Sequence, residues 1–181
     1  HHKWMDVSED GYGVSMLNDC KYGVSVREGV IGMSMLKSAI YPNPEADKEV
    51  HEFTYSIYPH QGDWRTAGTV KQAYQINNPL TSVWKENEEG TLAPEYSMVS
   101  SNQDNVVVEV VKKAEDSVDT IIRLYECYNR RTPVELTFGK EVKSVVECNM
   151  MEEGAEPVEF AGNKASFMMK PYEIKTLKVT F

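Results

Sequence analysis

The stretch T-I-I-R-L-Y-E-C-Y-N-R-R-T-P-V-E-L-T-F, residues 120–138, decides the fold. Its first nine residues are rich in β-branched and aromatic side chains, and its last five alternate: Val134, Leu136 and Phe138 on one side, Glu135 and Thr137 on the other. A side-chain period of two puts every second residue on the same face, which describes half-buried strands and not a helix. Between the two runs, N-R-R-T-P provides a turn, since proline and asparagine favour chain reversal over a continuous ladder.

Working outward, the same pattern returns at the end of the chain, where Leu177, Val179 and Phe181 oppose Lys178 and Thr180. Residues 106–111, V-V-V-E-V-V, are almost continuously apolar and are expected to be covered on both faces. Gly139-Lys140, Glu153-Gly154 and Gly162-Asn163 punctuate these runs as turns. Short strands at such spacing predict a β-sandwich.

The first half is also β but less regular. Residues 12–17, 22–26, 30–36 and 51–58 read as strands, with Arg27-Glu28-Gly29 as a tight turn. One short helix is expected: Asp63 caps it, Trp64, Ala67, Val70 and Tyr74 fall near one face, and Asn77-Asn78-Pro79 ends it. The polar stretch W-K-E-N-E-E-G-T-L-A-P, which begins at Trp84, has neither period. The fold class expected is therefore all-β, two consecutive β-sandwich units with one short helix: residues 1–83, a connection at 84–93, and a small immunoglobulin-like sandwich at 94–181. The first unit is expected to be incomplete, with sheet edges or apolar surface left for a missing upstream region, or a second copy in a homo-oligomer, to cover.

Composition excludes several function classes. Formal net charge is −9 and the basic residues are scattered, the densest being Lys112/Lys113 and Arg130/Arg131, so no concentrated positive patch awaits a nucleic acid. No apolar run approaches the roughly 20 residues that cross a bilayer, and no secretory signal opens the chain. Cys20, Cys127 and Cys148 are widely spaced and odd in number, which argues against a disulfide framework or a zinc site and for a reducing, cytoplasmic setting.

Candidate chemistry is sparse. Asp6, Ser8, Glu9 and Asp10 precede Gly11 as a solvated turn would. Asn18, Asp19, Lys21 and Tyr22 place an amide, a carboxylate, an ammonium and an aromatic in one short loop, the mixed set that binds sugar hydroxyls, although residues of these types more often form a plain hairpin turn. His51, His60 and Asp63 are too few for a closed metal site; His51 is assigned to a strand, His60 to a P-H-Q-G turn and Asp63 to the helix cap. His1 and His2 carry no functional weight. A G-x-S-x-G elbow, an activated cysteine and a phosphate-binding glycine loop are absent. A rival reading, an independent carbohydrate-binding or adhesion module, needs an exposed platform drawn from Trp4, Trp64 or Trp84.

Segment by segment the chain resembles the C-terminal region of glycoside hydrolase family 38, the α-mannosidases, in its bacterial and cytosolic-type branch. The residues that carry the likeness are H-K-W-M-D-V-S-E at 2–9, Y-G-V-S-M-L-N-D-C-K-Y-G at 12–23, P-E-A-D at 44–47, H-E-F-T-Y at 51–55, P-H-Q-G-D-W-R at 59–65 and N-N-P-L at 77–80. N-V-V-V-E-V-V-K-K-A-E-D at 105–116 and I-I-R-L-Y-E at 121–126 continue it through the second half. The resemblance implies a full-length retaining α-mannosidase in which a zinc ion and an aspartate nucleophile belong to an upstream β/α barrel. It implies no catalytic residue, cofactor or metal ligand here, and residues 1–83 become the end of that enzyme's large sandwich. α-Mannoside substrate and the intramolecular barrel are then the implied partners. It also implies that a loop reaches toward the pocket, with Asn18, Asp19, Lys21 and Tyr22 at the matching positions.

Overall fold

The computed structural model describes residues 1–86, 90–91 and 93–181, so positions 87–89 and 92 of the expected connection lie outside the described residues. The chain divides into two compact units, His1–Glu86 and Asn87–Phe181. Its strands pair antiparallel throughout, and the one described helix is short.

In the first unit, β1 (Trp4–Glu9), β2 (Tyr12–Asn18) and β5 (Tyr55–Gln61) form a three-stranded sheet with β2 in the middle. A separate hairpin joins β3 (Val24–Arg27) to β4 (Val30–Met33). Its turn bends at Glu28 and Gly29, both left-handed at φ 51° and 77°, as the R-E-G signal predicts. The helix α1 (Thr69–Asn77) buries Thr69, Val70 and Ala73. It is shorter than expected, because Gly68 is left-handed at φ 67° and separates α1 from the turn that Asp63 caps. Asp63 Oδ1 accepts the backbone N–H groups of Arg65 and Thr66, so its capping role is real but belongs to that preceding turn.

Register assigns the two faces of the sheet. Trp4 opposes Leu17, Asp6 opposes Ser15, and Gly13 opposes both Ser8 and His60. Ser15 on this face touches Thr69 of α1, so this is the face the helix covers. The other face carries Met5, Val7, Val14, Met16, Ile57 and Pro59, all apolar, and none of them is buried. Strand β5 starts later and runs further than expected, through Pro59 and His60, with the chain reversing only at Gly62, φ 67°. A proline is tolerated there because β5 is an edge strand.

The second unit is a two-layer sandwich. One sheet orders β11 (Glu156–Pro157), β10 (Ser144–Cys148), β14 (Ile174–Thr180), β8 (Thr120–Glu126) and β7 (Val106–Lys113). The other orders β12 (Glu159–Ala161), β13 (Lys164–Met169), β9 (Thr132–Phe138) and β6 (Val99–Ser101). Ile122, Leu124, Leu136, Phe138, Met169, Leu177 and Val179 meet between the layers at 1% exposure or less, and Phe181 packs edge-on against Phe138 at 5.8 Å. The alternations in 134–138 and 177–181 therefore point where the sequence predicts. Residues 106–111 do not: β7 is an edge strand with only Val106 buried, Val111 is 42% exposed, and a bulge interrupts its pairing between Val108 and Val110. A run of valines reports strand propensity, and edge position overrides the burial it suggests.

Candidate functional site

The loop that leaves β2 is built around Asn18. Its side chain is fully buried: Oδ1 accepts the backbone N–H of Lys21 at 2.7 Å, while Nδ2 donates to the His2 carbonyl at 3.1 Å. Nδ2 also lies 2.8 Å from His1 Nε2, and His1 Nδ1 lies 2.9 Å from the Tyr22 carbonyl. A carbonyl only accepts, so Nδ1 carries the proton and Nε2 receives the amide, one tautomer that satisfies both contacts. The Asn77 amide, from the end of α1, ties down the Asn18 carbonyl at 3.0 Å. Asn18 is thus the frame of the loop, with its hydrogen-bonding capacity spent internally. His1, given no weight in the sequence, is part of the same frame.

The other three residues face outward to different degrees. Asp19 Oδ2 accepts the Thr54 N–H at 2.9 Å, and Oδ1 is buried with no N–H or O–H donor in reach. The neighbouring Cys20 thiol, then the Thr54 backbone, hold the Asp19 carboxyl below its usual range against the opposing effect of burial. The same carboxylate pushes the exposed Cys20 thiol up, which makes it a poorer nucleophile. Lys21 Nζ stands 4.8 Å over the Phe53 ring, and Tyr22, 53% exposed, meets the edge of the His2 ring at 5.4 Å. Phe53 and Thr54, from the irregular run before β5, complete the loop; reading 51–58 as one strand hid them. The arrangement presents an ammonium held over an aromatic ring, with a phenol nearby. It holds no acid and nucleophile pair.

The cluster read as a solvated turn is in part the opposite. Asp6 is buried, its side chain 4% exposed, and Oδ1 lies 2.7 Å from His60 Nε2, itself 3% exposed. Ser15 Oγ donates to the same Oδ1 at 2.6 Å and Ser8 Oγ to Oδ2 at 2.6 Å, while Thr69 Oγ1 of α1 closes the chain at 2.7 Å from Ser15 Oγ. Alternation accounts for it: Asp6 and Ser8 lie on the helix-covered face of β1, whereas Glu9 and Asp10 at its end stay exposed. His60 is likewise a strand residue and not a turn residue. Gly13 opposes it because a Cβ there would sit 2.4 Å from the imidazole carbon Cε1. His, Asp and Ser here resemble a triad in type only: His60 Nε2 and Ser15 Oγ both contact the same carboxylate oxygen, His60 Nδ1 is buried without a hydrogen-bond partner, and all three side chains are shielded from solvent.

His51 is also not on a strand; its ring reaches the Asp47 carbonyl at 3.1 Å. Among the described residues no three His, Cys, Asp or Glu side chains stand close enough to hold a metal ion, so the side chains present do not fit a zinc centre. Of the three tryptophans, Trp4 and Trp64 pack on each other at 4.9 Å with the Arg65 guanidinium 4.2 Å over Trp64, which consumes two rings of the platform the rival reading needs. Trp84 is 92% exposed.

Comparison with known proteins identifies the family. Residues 1–45 match the glycosyl hydrolases family 38 C-terminal domain, and residues 105–177 match the glycosyl hydrolases family 38 C-terminal beta sandwich domain. The chain is 36% identical over 181 residues to alpha-mannosidase G of Dictyostelium discoideum, covering 98% of this chain and 17% of that protein. It is 34% identical to alpha-mannosidase 2C1 of Homo sapiens, covering 97% of this chain and 17% of the relative. In fold it matches a glycosyl hydrolase family 38 protein from Enterococcus faecalis with a TM-score of 0.77 at 20% identity, over 99% of this chain and 22% of that one. The chain thus spans about a sixth of the length of the relatives it matches.

Proposed function

Because the chain belongs to glycosyl hydrolase family 38, as its non-catalytic C-terminal β region, we propose that it serves as the scaffold of a larger retaining α-mannosidase. Residues 1–83 end that enzyme's large sandwich, 84–93 connect, and 94–181 form the small terminal sandwich. The observation that carries this reading is the incompletely covered apolar face of the first sheet. Met5, Val7, Val14, Met16, Ile57 and Pro59 lie in register on the side away from the helix, with Ile57 62% exposed. A sheet with a helix over one face and apolar side chains on the other belongs inside a layered structure. The missing layer is the upstream part of the same polypeptide, with a homo-oligomeric partner as the other occupant.

In that enzyme the barrel supplies the zinc ion and the aspartates, and α-mannosides are the substrate. Asp19, Lys21 and Tyr22 edge the pocket, and Asn18 holds them in place. The ammonium over Phe53 and the half-exposed Tyr22 ring suit polyhydroxylated ligands, which need donors beside an apolar surface. Three free thiols, one of them exposed at Cys20, suit a reducing, cytoplasmic setting.

The test is made on the chain joined to its upstream region. Lys21→Ala and Tyr22→Ala are expected to lower kcat/KM on a synthetic α-mannoside roughly tenfold, the size of one lost polar contact, with thermal stability unchanged. Unaltered kcat/KM in both variants sinks the pocket-edge assignment. Release of mannose by residues 1–181 alone sinks the scaffold reading itself.

A further inference from the structure

The outer face of the five-stranded sheet in the second unit is not bare. Ile121 on β8 and Thr176 on β14 point away from the core, yet they are 0% and 2% exposed, and Cys148 at the end of β10 is 9% exposed. Residues 149–154, within the short connection from β10 to β11, are tied across this face. Its turn is closed by Asn149, whose Oδ1 accepts the N–H groups of Met151 at 2.8 Å and Glu153 at 3.0 Å.

What ties the turn to the sheet is polar. The Glu152 carboxylate, at the margin of the fold with 8% side-chain exposure, lies 2.7 Å from Lys112 Nζ of β7. Its other oxygen accepts the Glu115 N–H at 2.8 Å. Lys178 of β14 donates to the Glu152 carbonyl and Arg123 of β8 to the Met150 carbonyl, each at 3.1 Å. Lys112 first, then the Glu115 N–H, holds the Glu152 carboxyl below its usual range, so it is charged and paired at neutral pH. Glu152 occupies a left-handed conformation, φ 67°, which a residue with a Cβ adopts only when its surroundings require it. No residue of 149–154 belongs to the hydrophobic core, whereas Val145 before it and Val158 after it do, or pack against it.

We propose that residues 149–154 are a clasp that opens as a unit while the sandwich stays folded, with Glu152 as its latch and the Cys148 thiol as the group its opening uncovers. Contacts confined to the surface can break without the core, which is the condition for sub-global opening. The Cys148 thiol donates weakly to the Thr176 carbonyl at 3.7 Å, and burial pushes its pKa up, so it stays unreactive while the clasp is shut.

The experiment uses the whole chain with Cys20→Ser and Cys127→Ser, leaving Cys148 as the single thiol for an aromatic disulfide reagent. Labelling in the native protein is expected to be slow and insensitive to low denaturant. Glu152→Gln should quicken it at least about tenfold, the weight of one charge-assisted hydrogen bond, and Lys112→Met should do the same from the other side of the latch. Leu136→Ala, which weakens the core, should leave native-state labelling almost unchanged. Labelling at the parent rate in both latch variants overturns the proposal, as does labelling that follows global unfolding across the denaturant series.

Discussion

Glu126 is a buried carboxylate on which the second unit depends. It is 1% exposed, and its Oε1 accepts the Asn105 amide and the Tyr128 N–H, both at 2.7 Å, while Oε2 accepts the Tyr172 N–H at 3.0 Å. Burial is the largest influence on its carboxyl and pushes it up, but the hydrogen bonds together outweigh burial and leave it below its usual value. A carboxyl whose folded pKa is depressed contributes stability that is present above its unfolded value, near 4.5. That contribution is lost as pH falls through the lower folded value. Glu126→Ala is therefore expected to cost roughly 3 kcal/mol at pH 7, and less below pH about 4, measured as denaturant midpoints of parent and variant at both pH values. Equal costs at the two values count against the carboxylate as the cause. Strand parity places Glu126 on the same face as Ile122 and Leu124, so its inward direction is legible in I-I-R-L-Y-E; the donors Asn105 and Tyr172, which come from distant parts of the chain, are not.

Strands report their period more faithfully than their neighbours. Residues 134–138 were readable because one buried face against one wet face writes itself as alternation. Residues 106–111 were misread because valine suits an edge strand as well as a central one, and a bulge shifts the register part-way along it. Val111→Lys is thus expected to change stability by no more than about 0.5 kcal/mol, while Leu136→Ala at the sandwich centre should cost roughly 3 kcal/mol. Thermal melts of the two variants check the contrast, and equal losses refute the edge assignment. The same limit applied to the loop after β2. Its residue types were visible in N-D-C-K-Y, but Asn18 proved to be its frame, and Phe53 and Thr54 approach it from more than thirty residues away, a long-range pairing that no local pattern encodes.

At the scale of the molecule, the two units differ in self-sufficiency. The second closes its core between two sheets, whereas the first leaves an apolar sheet face and the edge strand β5 open. Residues 1–181 alone should therefore bind an apolar dye and self-associate, and the pair Val14→Lys with Ile57→Lys should suppress both, as read by dye fluorescence and sedimentation. A dye-silent monomeric parent would contradict the open face. The three tryptophans, Trp4, Trp64 and Trp84, all fall in His1–Glu86. Indole emission excited above the tyrosine band therefore reports on that unit alone, the other being optically dark. The mutually packed Trp4 and Trp64 supply a signal that changes on melting, against the already solvent-relaxed glow of Trp84.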